Sequence, residues 1–217
     1  MLCWLRLGVC LLLLAPIALA NAQSSPAPAP ASAPVADWQP VLDGAALLNA
    51  LRRGSYVIYL RHTSTDFGQN DEAMTTFADC AKQRNLTDQG RAEARAIGSS
   101  LRTLKVPVGT ILASPFCRTV ETARLAFGEP QVSHAVRGGP ARPEAADRYA
   151  ELRKLLATRV TGGTNIAISS HGNPFFAVAG PPYLAEGEAA IIEPQDGAGF
   201  RVVARVKKDG WDGLAQR

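Results

Sequence analysis

Residues 56–62 read Tyr56-Val57-Ile58-Tyr59-Leu60-Arg61-His62, an apolar, β-favouring run that stops at a guanidinium and an imidazole. A run this short and this apolar predicts a strand buried on both faces, as in a parallel sheet. Two further runs end the same way. Ile111-Leu112-Ala113 leads into Ser114-Pro115-Phe116-Cys117-Arg118-Thr119, and Ile166-Ala167-Ile168 leads into Ser169-Ser170-His171-Gly172-Asn173. Helical patterns separate the three runs: Asp43 to Arg53; Thr87 to Lys105, with Thr87 as N-cap and Ala94, Ile97, Leu101 and Leu104 on one face; and Glu144 to Val160. This alternation predicts an α/β fold, a three-layer α/β/α sandwich around a mostly parallel central sheet. Ala189 to Glu193 and Phe200 to Val206 add two strands, with a hairpin turn predicted at residues 196–199 on the sheet edge.

In such a sheet, ligands bind beyond the carboxyl ends of the strands. The three runs would therefore deliver Arg61, His62, Arg118 and His171 to one pocket, although each residue alone carries little weight. Ser114-Pro115 reads as a helix start, with Pro in the first helical position and the helix running to about Ala126. A helix start offers free N–H groups to an anion, and guanidiniums bind phosphate oxygens in a bidentate fork. Together these groups describe a seat for a phosphoryl dianion. His134, the third histidine, falls in a polar loop and reads as a surface residue. A metal site from His62, His171 and Cys80 is disfavoured because the neighbouring arginines repel a cation, so no metal or other cofactor is expected.

The rest of the chain sets the context. It has 217 residues, 47% hydrophobic and 19% charged, which excludes a mostly disordered chain. The net charge of +4 is spread thinly, so a nucleic-acid partner is not expected. Met1 to Ala22 has a positive Arg6, an apolar run from Leu7 to Ala20 and an Ala-Asn-Ala end, the layout of a cleaved secretory signal. Residues 23–36, rich in Pro and Ala, read as an extended linker, and the folded domain as 37–217. The mature protein is then expected in the periplasm or secreted, with no membrane contact once the signal is cleaved. Cys3 and Cys10 leave with the signal. Cys80 and Cys117 remain, a pair that an oxidising compartment would bridge.

The ordered segments Arg61-His62, Leu86-Thr87-x-x-Gly90, Ser114-Pro115-x-x-Arg118-Thr119-x-x-Thr122-Ala123 and Ser170-His171-Gly172-Asn173 resemble the histidine phosphatase superfamily. That fold is shared by cofactor-dependent phosphoglycerate mutases and acid phosphatases. The resemblance implies that His62 is phosphorylated and that Arg61, Arg118 and His171 hold the phosphoryl oxygens. It implies a phosphatase acting on small phosphate esters. Two other readings stand beside it: a mutase-like phosphotransferase, and an anion-binding module without turnover. The sequence departs from the family pattern at Thr63, where Gly is usual, and at Glu93, where many members carry Gln. The mutase branch's Gly-Trp-Glu-Gly-like acid context is absent from Phe127 to Thr164, and Gly172 stands where another branch has Asp. Glu188 is therefore the first candidate for the general acid, Glu186 the second and Asp66 the third. Arg84 and Asn85, with Thr63, are candidate pocket residues. The stretches 66–80 and 128–143 are expected to cap the pocket and select the substrate.

Overall fold

The computed structural model describes residues 38–138, 147–195 and 199–216. The expected signal and linker, the first three residues of the expected 144–160 helix and most of the expected 196–199 turn lie outside the described residues. Among the described residues there are five α-helices: α1 (Gly44–Arg53), α2 (Asp88–Thr103), α3 (Cys117–Ala126), α4 (Ala150–Ala157) and α5 (Gly172–Ala179). The strands are β1 (Val57–Arg61), β2 (Val108–Ala113), β3 (Gln131–Val132), β4 (Asn165–Ser170), β5 (Ala189–Pro194) and β6 (Phe200–Val206). They form one sheet in the order β3-β2-β4-β1-β5-β6. The β3-β2-β4-β1 side is parallel, while β5 pairs antiparallel with both β1 and β6.

Residues on β1 alternate between two cores, as the two-residue period of a strand requires. Ile58 and Leu60 pack with Leu47 and Leu51 of α1 and with Ile97 and Leu101 of α2. Val57 and Tyr59 pack on the other side with Leu152 and Leu156 of α4 and with Phe175 of α5. The sheet is therefore sandwiched between two helical layers, as the alternation predicted.

Register places the site. Arg61 of β1 lies opposite Ser170 of β4, and Ala113 of β2 lies opposite Ser169. The ladder runs one residue further on each side, through His62 N–H to the Ser170 carbonyl (2.9 Å) and Ser114 N–H to the Ser169 carbonyl (3.0 Å). His62, Ser114 and His171 thus leave three adjacent strands at the same edge.

Several local details differ from the sequence reading: α5 was not expected, and α4 spans only Ala150–Ala157 of the expected 144–160 helix, with 147–149 a turn and 158–160 outside it. Helix α3 starts at Cys117, not at Pro115; Ser114 and Pro115 belong to the connection from β2. The first N–H of α3, from Cys117, is already taken by Gln83 Oε1 at 2.9 Å, so the expected anion site at a Ser-Pro helix start is not formed there. Strand β3 was not expected, being two exposed residues that extend the sheet edge inside the 128–143 loop. Helix α2 follows the prediction. Thr87 Oγ1 accepts from Gly90 N–H at 3.0 Å, an N-cap bond. Gly90 is required for a second reason: a Cβ there would sit 2.0 Å from the Ser64 carbonyl oxygen, in the loop that follows His62.

Candidate active site

His62 is 1% exposed. Its Nδ1 lies 3.0 Å from the Thr63 carbonyl oxygen. A carbonyl can only accept, so Nδ1 carries the proton and Nε2 keeps its lone pair. Burial, reinforced by the positive Arg118, Arg61 and Arg84 and opposed by the Thr63 bond, pushes the His62 pKa down to about 3. The ring is therefore a neutral imidazole at neutral pH, the nucleophilic form.

His171, the residue just before α5, stands with its ring centroid 5.5 Å from that of His62, the planes at 71°. Ser114 Oγ holds its Nε2 at 2.8 Å. The His171 carbonyl accepts from the buried Tyr59 hydroxyl at 2.9 Å. Burial first, then the positive groups around it, hold this imidazole well below the usual histidine range. The sequence reading treated Ser114 only as part of a helix start, and the bond to His171 gives it a second role.

Arg61, His62, Arg84, Arg118 and His171 all line one cavity of about 290 Å³. Arg61 Nη1 donates to the Leu184 carbonyl at 2.7 Å, and its guanidinium lies over the Tyr183 ring at 5.2 Å. Arg118 is 5% exposed and stacks over Phe116 at 4.4 Å. The Nε atoms of Arg61, Arg84 and Arg118 are buried without a hydrogen-bond partner. Three guanidiniums lining one cavity constitute a strong seat for an oxyanion.

That seat already holds a carboxylate from the chain itself. Asp71 Oδ1 and Oδ2 accept from Arg118 Nη1 and Nη2 at 3.0 and 3.1 Å, a bidentate fork. The Arg84 backbone N–H adds a third bond to Oδ1 at 2.9 Å. Asp71 is the one carboxylate among the described residues that lines the cavity, and the sequence reading missed it. It sits in the 66–80 loop, where no periodic pattern points to it. A disulfide between Cys80 and Cys117 joins the end of this loop to the first residue of α3.

The acid candidates are placed differently from the expectation. Glu188 does not reach the cavity: both of its oxygens are taken by Arg205 at 2.8 Å, and one also accepts from Ala185 N–H. Asp66 folds back on its own loop, accepting from Gly68 N–H at 2.8 Å. Glu186 is close to His62 but on its proton-bearing side, 3.9 Å from Nδ1. Its carboxylate accepts from Thr65 N–H and Oγ1 and lies 3.5 Å from Arg61 Nη2. The two glutamates are split by Gly187, whose positive φ of 76° turns the chain. Its N–H bonds the His62 carbonyl at 3.0 Å and tethers this turn to the end of β1.

Of the other candidates, Arg84 lines the cavity but Thr63 and Asn85 do not. Thr63 is fully buried against Thr122 of α3 and serves the site through the carbonyl that fixes His62. Asn85 spends its amide on the Cys80 and Gln83 carbonyls, outside the cavity. Glu93 accepts from the backbone N–H and hydroxyl of Ser64 at 3.2 and 2.7 Å and pairs with Lys208, so it anchors the loop after His62. His134 is exposed, as expected.

Residues 57–139, which include His62 and Arg118, match the family model described as histidine phosphatase superfamily (branch 1). Solved structures share the fold. A phosphoserine phosphatase from Entamoeba histolytica, solved with phosphoserine, is 12% identical and has a TM-score of 0.50 over 71% of this chain and 98% of its own. A mycobacterial glucosyl-3-phosphoglycerate phosphatase with inorganic phosphate is 15% identical, with a TM-score of 0.50 over 73% and 99%. A putative phosphohistidine phosphatase, SixA, from Agrobacterium tumefaciens is 18% identical, with a TM-score of 0.47 over 70% and 97%. The comparison with curated proteins gives no match.

Proposed function

We propose that the protein hydrolyses phosphomonoesters through a phosphohistidine on His62. The observation that carries this is the bond from His62 Nδ1–H to the Thr63 carbonyl, which leaves Nε2 unprotonated in a cavity lined by three guanidiniums. In the first half-reaction the Nε2 lone pair attacks phosphorus. The P–O bond to the alcohol breaks, its electrons go to the leaving oxygen, and that oxygen takes up a proton. In the second, water attacks phosphorus, the P–N bond returns its electrons to Nε2, and the water's proton is lost. Arg61, Arg84 and Arg118 offset the charge on the phosphoryl oxygens throughout, the electrostatic contribution that dominates phosphoryl transfer. His171 completes the cavity beside the nucleophile.

The signal-like layout of Met1 to Ala22 and the Cys80–Cys117 bridge support action after export, in the periplasm or outside the cell. Substrate in this reading is a small phosphate ester.

The test is hydrolysis of p-nitrophenyl phosphate by the wild type and by His62→Ala, with acid quenching to trap the phosphoenzyme. Turnover in the wild type, lost by at least a thousandfold in the variant together with the trapped phosphate, is the expected outcome. Full activity in His62→Ala would remove the nucleophile from the scheme, and an inert wild type would remove the phosphatase.

A further inference from the structure

Large aromatic rings left in solvent are unevenly distributed. Among the described residues the exposed ones are Phe67 (73%), Phe176 (45%) and Tyr183 (44%). Tyr183 lines the phosphoryl cavity, and Phe67 and Phe176 each pack on a residue that lines it. Phe176 stands 5.8 Å from Tyr183. Phe67 lies under the Arg84 guanidinium at 4.9 Å, as Tyr183 lies under that of Arg61 at 5.2 Å, and both arginines line the cavity. Isolated apolar residues on a surface are ordinary, but a cluster around a polar cavity marks a contact surface.

The rings are also held in place. Tyr183 donates its hydroxyl to Asn173 Oδ1 at 2.6 Å. Its ring packs so tightly on Gly172 that a Cβ there would fall 2.2 Å from Tyr183 Cζ. Each ring on an arginine uses one face for the cation, and the exposure of Phe67 leaves its other face open to a ligand. A flat partner stacks on such a face, while a puckered or branched one makes poorer contact.

We propose that Phe67 and Tyr183 form a leaving-group subsite, so that the preferred substrates are phosphate esters of aromatic, planar alcohols. This deepens the phosphatase reading and rests on it for turnover, but not for binding. In the bound state the phosphoryl group sits among the arginines and the aryl group leans against the two rings.

Calorimetric titration of the full chain with phenylphosphonate, cyclohexylphosphonate and methylphosphonate tests the proposal without any hydrolysis. Stacking between aromatic groups gives about threefold to tenfold per ring. Phenylphosphonate is therefore expected to bind about tenfold or more tighter than methylphosphonate, and several-fold tighter than cyclohexylphosphonate. Phe67→Leu and Tyr183→Leu each reduce that preference by about threefold or more, and Tyr183→Phe keeps it. Methylphosphonate affinity stays within about twofold in Phe67→Leu. Equal binding of the phenyl and cyclohexyl compounds overturns the proposal. So does a preference that survives in the double leucine variant. If the leucine variants weaken all three ligands alike, the rings serve only to hold the arginines, and the subsite is refuted. A wild type that binds no phosphonate at all speaks instead against the oxyanion seat.

Discussion

Replacing Asp71 should make the protein bind phosphate more tightly. The Asp71 carboxylate occupies both terminal nitrogens of Arg118, the donors a phosphoryl group would use. Any oxyanion that engages Arg118 must first displace it. Hydrogen bonds between charged groups are worth about 1.5–3 kcal/mol each. The Asp71 side chain is 32% exposed while that of Arg118 is only 6% exposed, so solvent screens the pair in part. About 1.5–2 kcal/mol for the whole fork is a fair order of magnitude, and each 1.4 kcal/mol is about tenfold in affinity. Asp71→Ala should then bind inorganic phosphate about tenfold to thirtyfold tighter than the wild type at neutral pH. Asp71→Asn should gain less, because its amide oxygen can still accept from Arg118. Isothermal titration calorimetry measures this directly, and the gain should disappear in an Arg118→Ala background. Unchanged or weaker affinity in both Asp71 variants would mean that Asp71 positions Arg118 for the ligand rather than competing with it, and the displacement argument would be wrong.

Two further predictions concern stability. His62, at about 3, and His171, also well below its usual value, stay neutral in the folded protein, while histidines of the unfolded chain protonate near about 6.5. The unfolded state therefore binds more protons below that point, so stability is complete above about pH 6.5 and falls as pH drops toward 3, by about 1.4 kcal/mol per pH unit for His62, with His171 adding to the fall in the same direction. Urea midpoints at pH 7, 5 and 4 should show this fall, shallower in His62→Asn; identical slopes for the two proteins would rule out a buried neutral His62. The Cys80–Cys117 bridge closes a loop with a sequence separation of 37. Chain entropy assigns such a bridge about 4 kcal/mol. Cys80→Ser with Cys117→Ser should lower the unfolding free energy by an amount of that order, and a loss below about 1 kcal/mol would show that the 66–80 loop is held by its other contacts alone.

The parts of the molecule that could be read from the sequence are those with a period or a cap. The apolar runs of β1 and β4 and the Thr87 cap of α2 appear where they were expected, within a residue or two. So does the meeting of His62, Arg118 and His171, because it follows from strand order and register rather than from loops. Other features depend on contacts distant in sequence. Pro115 allowed a helix start that the structure delays to Cys117, where Gln83 supplies the cap from another segment. Glu186 and Glu188 look alike on paper. A turn at Gly187 sends one toward His62 and the other to Arg205, and no local pattern distinguishes them. Asp71 lies in a stretch without periodicity, and its position is fixed by Arg118, forty-seven residues away.

Strand β1 is a wall common to both cores, and the residue immediately after it is His62. Misfit in the α1–α2 layer presses on Ile58 and Leu60, and misfit in the α4–α5 layer presses on Val57 and Tyr59. Either one ends at the same imidazole. A methylene removed from Leu51 or from Leu156, remote from any phosphate, would therefore be felt as a change in the line of attack, and random mutagenesis for lost turnover should recover interior positions from both helical layers.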